Sequence, residues 1–297
     1  ARETRVPALV FSKRSHFQTG QGVFRLGPTI SSQINSLVKA CSEKLNYKNY
    51  ALVIPDTPLG EEFGRVFKQV LQAYNLNLVY EASFMSADDN ALVAIAEELE
   101  GVSADAVFFP DSLQAATRFY GNFSELARSQ IRILGSGAWD NPVELANSRT
   151  ALDGAIFVSP FFSSSGEPVI AKFKQAYQAK YNESPDFLAA QGFDAATLVI
   201  AALARQANDD MLSFEQALRS IQSYDGLTGR IWIDQSGEVK RIFSVVQFSQ
   251  GKLEELSDSG NPSFVMRGNE ALGPETDVQQ GFFGSGARNP LTPKRTF

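Results

Sequence analysis

The chain has 297 residues, 43% hydrophobic and 20% charged, an ordinary globular balance with length enough for two cores. A formal net charge of -6 and a pI near 5.0 exclude the basic surface that non-specific nucleic-acid binding needs. A single cysteine, Cys41, excludes an internal disulfide and any multi-cysteine metal site.

The opening Ala1–Pro7 stretch does not read as a signal peptide, so any targeting segment is expected to be removed or never present. No apolar run approaches the about twenty residues needed to cross a bilayer. Short apolar runs then alternate with amphipathic stretches, the pattern of βα units around a parallel sheet. The runs are Ala8–Phe11, Tyr50–Ile54, Leu76–Tyr80, Ala106–Phe109, Ile131–Leu134 and Gly154–Val158. Strands covered on both faces read as continuous apolar stretches of this kind. Ile34, Leu37, Val38, Cys41 and Leu45 recur at helical spacing, which makes the thiol a buried, inert one. Phe63, Val66, Phe67, Val70, Leu71 and Tyr74 form a second helical stripe, and Ala91, Leu92, Ile95, Ala96 and Leu99 a third. One further helix is predicted from Leu113 to Leu126, and the doubly wound pattern fills residues 30–158.

After Pro160 helices dominate: Val169–Tyr181, an apolar Phe187–Gln206, and Ser213–Ile221 with Ser213 as its cap. Two β segments follow, Gly229–Ile233 and Ile242–Phe248, parted by the turn Asp234–Gly237. From Ser257 periodicity vanishes and the reading is an irregular tail, whose Phe264, Phe282, Phe283 and Phe297 could dock on a surface.

No motif points to catalysis. The only histidine, His16, stands beside Ser15 in sequence, which does not supply the geometry of a base oriented against a nucleophile. Gly281–Gly286 does not follow a strand, and there is no phosphate-binding loop signature. Asp88-Asp89, Glu97–Glu100 and Asp209-Asp210 read as solvated surface, and no set has metal-ligand spacing. Neither a cofactor nor a metal is expected.

Val6–Ser12 followed by Val23–Pro28 resembles the "VPLIS" and "VFRT-P" passage of type I periplasmic binding proteins. Asp56–Gly60 resembles that family's "D-x-x-YG" turn, and Gly135–Asp140, Phe157–Phe161, Gly192–Ala196 and Tyr224–Ile231 follow in family order. The series spans residues 6–255 and is most similar to leucine-binding-protein-like solute receptors and to lipoprotein activators of penicillin-binding proteins. Family members carry about a hundred residues, most of a lobe, before the passage that opens this chain.

The resemblance implies an α/β, bilobed fold: parallel doubly wound sheets with helices on both faces, the first lobe incomplete. Residues 1–28 and 160–232 would be the remnant of lobe 1, 29–159 and 235–256 lobe 2, and 257–297 the tail. Hinges would lie near Pro28, Pro160 and Asp234. Ligands of such sheets bind beyond the carboxyl ends of the strands. That singles out Asp56, Leu59, Gly60, Phe109, Asp111, Gly137, Trp139, Asp140 and Phe161, with Ser12, Arg14, Ser15 and His16 from the first lobe. Trp139 would either wall the pocket or cap its own core. Asp140 and Asp111 would contact ligand or cap helices, and Ser12 and Ser15 would donate to a carboxylate or be ordinary loop serines. Leu59 replaces the family's tyrosine, and Gly137 stands where an acidic partner for an ammonium would fall, so standard amino-acid contacts are partly missing. Two functions are implied. One is a periplasmic, non-enzymatic receptor that hands a solute to an ABC transporter permease. The other is an envelope lipoprotein domain, anchored through a removed amino-terminal segment, that regulates a penicillin-binding protein by contact.

Overall fold

The computed structural model describes residues 6–11, 22–85, 88–148, 152–206, 211–234 and 238–256. Ser12–His16, Gln235–Gly237 and the tail from Ser257 lie outside the described residues. The larger body is built on β3 (Asn49–Pro55), β4 (Asn77–Phe84), β5 (Ala106–Phe108), β6 (Arg132–Gly135) and β7 (Ile156–Ser159), introduced after β1 (Ala8–Val10) and β2 (Val23–Arg25) of the smaller one. Its sheet adds β11 (Ser244–Ser249) and β12 (Lys252–Glu255) to give the order β12-β11-β7-β6-β5-β3-β4. The five strands from β4 to β7 are mutually parallel; β11 runs antiparallel to β7, and β12 antiparallel to β11.

Alternation along β3 shows why these strands read as unbroken apolar runs. Ala51 and Val53 face one core with α3 (Asp89–Glu100), α4 (Leu113–Gly121), α5 (Glu125–Gln130) and α6 (Pro142–Ser148). Tyr50, Leu52 and Ile54 face another with α1 (Ile30–Lys44) and α2 (Pro58–Ala73). Both faces are dry, so no polar alternation survives. Cys41 is buried in the second core, and burial pushes its thiol far above the usual range, as the helical stripe anticipated.

The smaller body holds β1 and β2 as a parallel pair, the antiparallel sheet β8 (Tyr224–Gly226), β9 (Gly229–Ile233) and β10 (Val239–Ile242), and α7 (Pro168–Tyr181), α8 (Phe187–Arg205) and α9 (Met211–Arg219). Arg25 on β2 forms a bidentate pair with Glu238, both contacts 2.9 Å, at a bridge next to β10. The carboxylate and guanidinium forks match here, which suits a pair largely removed from water.

Several expectations need correction. The predicted strand Ile242–Phe248 is two strands, because the chain leaves the small antiparallel sheet at Ile242 and enters the large one at Ser244. Residues 238–242 therefore stay with the smaller body, not with lobe 2 from residue 235. Leu113–Leu126 is two helices, since Ser124 caps a new one by accepting from the Ala127 amide. Ser213 lies inside α9 rather than capping it. The 19 residues of α8 are long and apolar enough, by length and composition alone, to cross a membrane, although no apolar run of about twenty was expected. Here α8 packs on α9, while Leu188 and Leu203 stay exposed.

Candidate functional site

The carboxyl ends of β3, β5, β6 and β7 share one edge of the large sheet, and the candidate residues gather there. After β3 the chain turns onto the face of α1 and α2; after β5, the neighbouring strand, it turns onto the opposite face through α4. Neighbouring strands whose exits diverge open a crevice between their loops, the place where sheets of this kind take ligands. Asp56 and Thr57 stand on one lip, Asp111 and Ser112 on the other.

Both lips end in a capped helix. Thr57 Oγ1 accepts from the Gly60 amide at 3.0 Å, and Pro58 occupies the first helical position, where its missing N–H costs nothing. Gly60 is buried, Leu59 and Asp56 exposed, and the Asp56 amide donates to the Phe84 carbonyl at 2.7 Å. Ser112 caps α4 by accepting from the Ala115 amide at 3.2 Å. Asp111 thus lies one residue before the cap assigned to it; its carboxylate accepts from the Ser112 amide. The Thr57-Pro58 pair, a cap followed by proline, was the available signal for the first lip.

Three candidates are core residues. Phe109 is fully buried, stacked on Phe84 at 5.3 Å and on Phe119 at 4.8 Å. Phe161 packs edge-on to Phe173 in the smaller body. Trp139 is fully buried: its Nε1 donates to the Asp111 carbonyl at 2.7 Å, and its ring lies over Gly135. A Cβ on Gly135 would fall 2.1 Å from the indole, so glycine is required there. The wall reading of Trp139 gives way to the cap reading.

Gly137 and Asp140 are bound into the scaffold at the tips of β6 and β7. The Gly137 amide donates to Gln33 Oε1 at 3.0 Å, a partner from α1 that no local pattern announces. Asp140 accepts from the Ser159 hydroxyl at 2.7 Å and from the Phe161 amide, while Asn141 caps α6. Burial pushes the Asp140 carboxyl above its ordinary range, against the two donors. A raised folded-state pKa means that this group favours folding once protonated, and that contribution is lost as pH rises through the folded pKa. Asp140→Asn should therefore flatten the rise in relative stability as pH falls from neutral toward the ordinary carboxylate range, read from urea midpoints across pH. An unchanged pH profile would show that the group is not desolvated.

Ser12, Arg14, Ser15 and His16, the candidates from the first lobe, lie outside the described residues. Among the described residues no group of three or more His, Cys, Asp or Glu could hold a metal. The edge offers carboxylates beside helix amino termini, a set suited to hydrogen bonding.

Comparison with known proteins matches residues 1–252 to a family model described as periplasmic binding protein. A putative branched-chain amino acid ABC transporter protein from Rhodospirillum rubrum superposes with TM-score 0.70 at 20% identity, over 79% of this chain and 67% of its own. A leucine binding protein from Thermotoga maritima gives 0.61 at 20% identity over 86% and 73%. A solute binding protein of R. palustris, solved in complex with benzoate, gives 0.60 at 22% identity over 86% and 71%. At these identities the likeness is one of fold.

Proposed function

The chain belongs to the periplasmic binding protein family, and from that premise we propose that it captures a small polar solute at the crevice between β3 and β5. The observation that carries this is the divergence of the two exits at Pro55 and Phe108, each followed by a capped helix start. The Leu59 amide and the Asp56 and Asp111 carboxylates together suit a solute bearing both acceptors and donors. The solute is held without bond-making, in the periplasm, and passed to a membrane permease of an ABC transporter. Closure swings the smaller body about the crossings near Pro28, Pro160 and, in place of the expected Asp234, Phe243.

A second reading keeps the fold but not the ligand: a lipid-anchored envelope domain that regulates a penicillin-binding protein. Leu59 in place of the family's tyrosine and Gly137 in place of an acidic partner favour it, because two family contacts are then unavailable to an amino acid. A thermal-shift series with amino acids, aromatic acids, sugars and nucleobases separates the two. A true ligand at about 100 times its Kd adds about 2.7 kcal/mol, and should raise Tm by about 5 °C or more. A flat response across all four classes rejects solute capture and leaves the contact reading.

A further inference from the structure

The chain passes between the two bodies three times, and the crossings are held differently. At the first, the Leu26 carbonyl accepts from Gln191 Nε2 at 3.2 Å and from Arg241 Nη2 at 3.3 Å, both on elements of the smaller body. At the third, the Phe243 amide donates to Ser36 Oγ at 3.1 Å, on α1 of the larger body. The second, at Pro160, is gripped on both sides of the junction.

Pro160 follows β7, whose last residue, Ser159, pairs with Ser244 in the large sheet. The next two rings part: Phe161 packs with Ile170, Phe173 and Leu227 in the smaller body, and Phe162 enters the core of the larger. The Phe161 peptide is therefore where one body is fastened to the other. A proline ring fixes its own φ and keeps the residue before it extended, so the freedom left is the rotation after Pro160 Cα, which turns the Phe161 N–H. That N–H donates to the Asp140 carboxylate, which also accepts from the Ser159 hydroxyl at 2.7 Å. Ser159 and Phe161 are buried, so water does not compete for these charge-assisted bonds. At the other end of the same turn, Gly137 backs the proline ring: a Cβ there would lie 2.9 Å from Pro160 Cγ. Gln33 of α1 fixes the Gly137 amide, so the whole seat belongs to the larger body.

We propose that Asp140 is a positioning residue of the hinge: seated with Gly137 around Pro160, its carboxylate sets the angle at which the smaller body leaves the larger. Rotation after Pro160 pulls on the Phe161 bond, so this one acceptor governs what share of the molecules stands at each angle. The consequence for affinity, which scales with the share competent to bind, rests on the solute-capture reading. The angle itself does not.

Pulsed electron-spin distance measurements on the whole chain, with no solute added, test it. Ser184→Cys in the smaller body and Gln114→Cys in the larger, both exposed positions, carry the labels, while Cys41 is buried. Asp140→Ala should shift or broaden the distance distribution by more than about 2 Å. Asp140→Asn keeps an oxygen of the same reach for the Phe161 N–H and should stay within that margin. Ser159→Ala removes the donor on the larger body's side alone and should also leave the distances in place. Gly137→Ala should shift them by pushing on Pro160, and it reads the seat even if Asp140→Ala does not fold. Three outcomes overturn the proposal: native distances in folded Asp140→Ala, native distances in Gly137→Ala, or a shift in Asp140→Asn or Ser159→Ala as large as that in Asp140→Ala. Failure of every solute to bind would sink the capture reading and leave these distances readable.

Discussion

Replacing Asp194 with alanine should lower the unfolding free energy by about 3–5 kcal/mol. The residue sits on α8 with its side chain fully buried, and its carboxylate accepts from the Leu227 amide at 2.8 Å and the Thr228 amide at 2.9 Å. The Thr228 hydroxyl donates to it as well. Those amides belong to the turn between β8 and β9, so one side chain closes the hairpin and docks it on the helix. Gly226 leaves the room: a Cβ there would lie 2.7 Å from the carboxylate. Burial pushes the Asp194 carboxyl above its ordinary range, against the three donors and the nearby Arg241, whose own pKa burial lowers to about 10. Truncation would strand two amides and a hydroxyl and remove the counter-charge of a buried guanidinium, the combination that makes losses large. Asp194→Ala with Arg241→Met should cost less than the sum of the two. Urea midpoints with unchanged m-values are the measurement, and a loss under about 1 kcal/mol would mean the turn closes without this carboxylate.

The same contact explains why part of the fold was legible and part was not. Gly192–Ala196 and Tyr224–Ile231 are distant in sequence and together form one latch, which is why both motifs accompany the fold. Strands such as Tyr50–Ile54 were legible because burial on both faces leaves an unbroken apolar run. Apolarity says that a residue is buried and not against what: Phe243 continues the run through a point where the chain changes sheets. It also does not say which way a side chain points at a strand tip. Phe109 and Phe161 stand where ligand contacts were sought, and both turn into the cores that their neighbours build. Gln33 on Gly137 joins residues 104 positions apart, and no periodicity encodes such a pair. The caps Ser112 and Ser124 were there to be read, each a serine just ahead of a helical stretch.

Trp139→Ala should cost about 3–5 kcal/mol, because a fully buried indole leaves a cavity that parallel strands on one side and helices on the other cannot close. Trp139→Phe divides the effect. It keeps a ring near Phe157, 6.1 Å away in the native pair, and removes the Nε1 donor with the smaller ring of the indole, leaving the Asp111 carbonyl without its partner. That step alone should cost about 1–3 kcal/mol. Asp111 is on a lip of the crevice, so the indole holds that lip in place from behind. A solute identified by thermal shift should then bind Trp139→Phe with affinity reduced by the misplacement of Asp111, and Asp111→Asn should reproduce that loss without the stability cost. Had the ring faced the ligand, the pattern would be reversed: affinity lost in Trp139→Phe with the urea midpoint unmoved. Equilibrium unfolding and calorimetry on the same two variants read the difference directly.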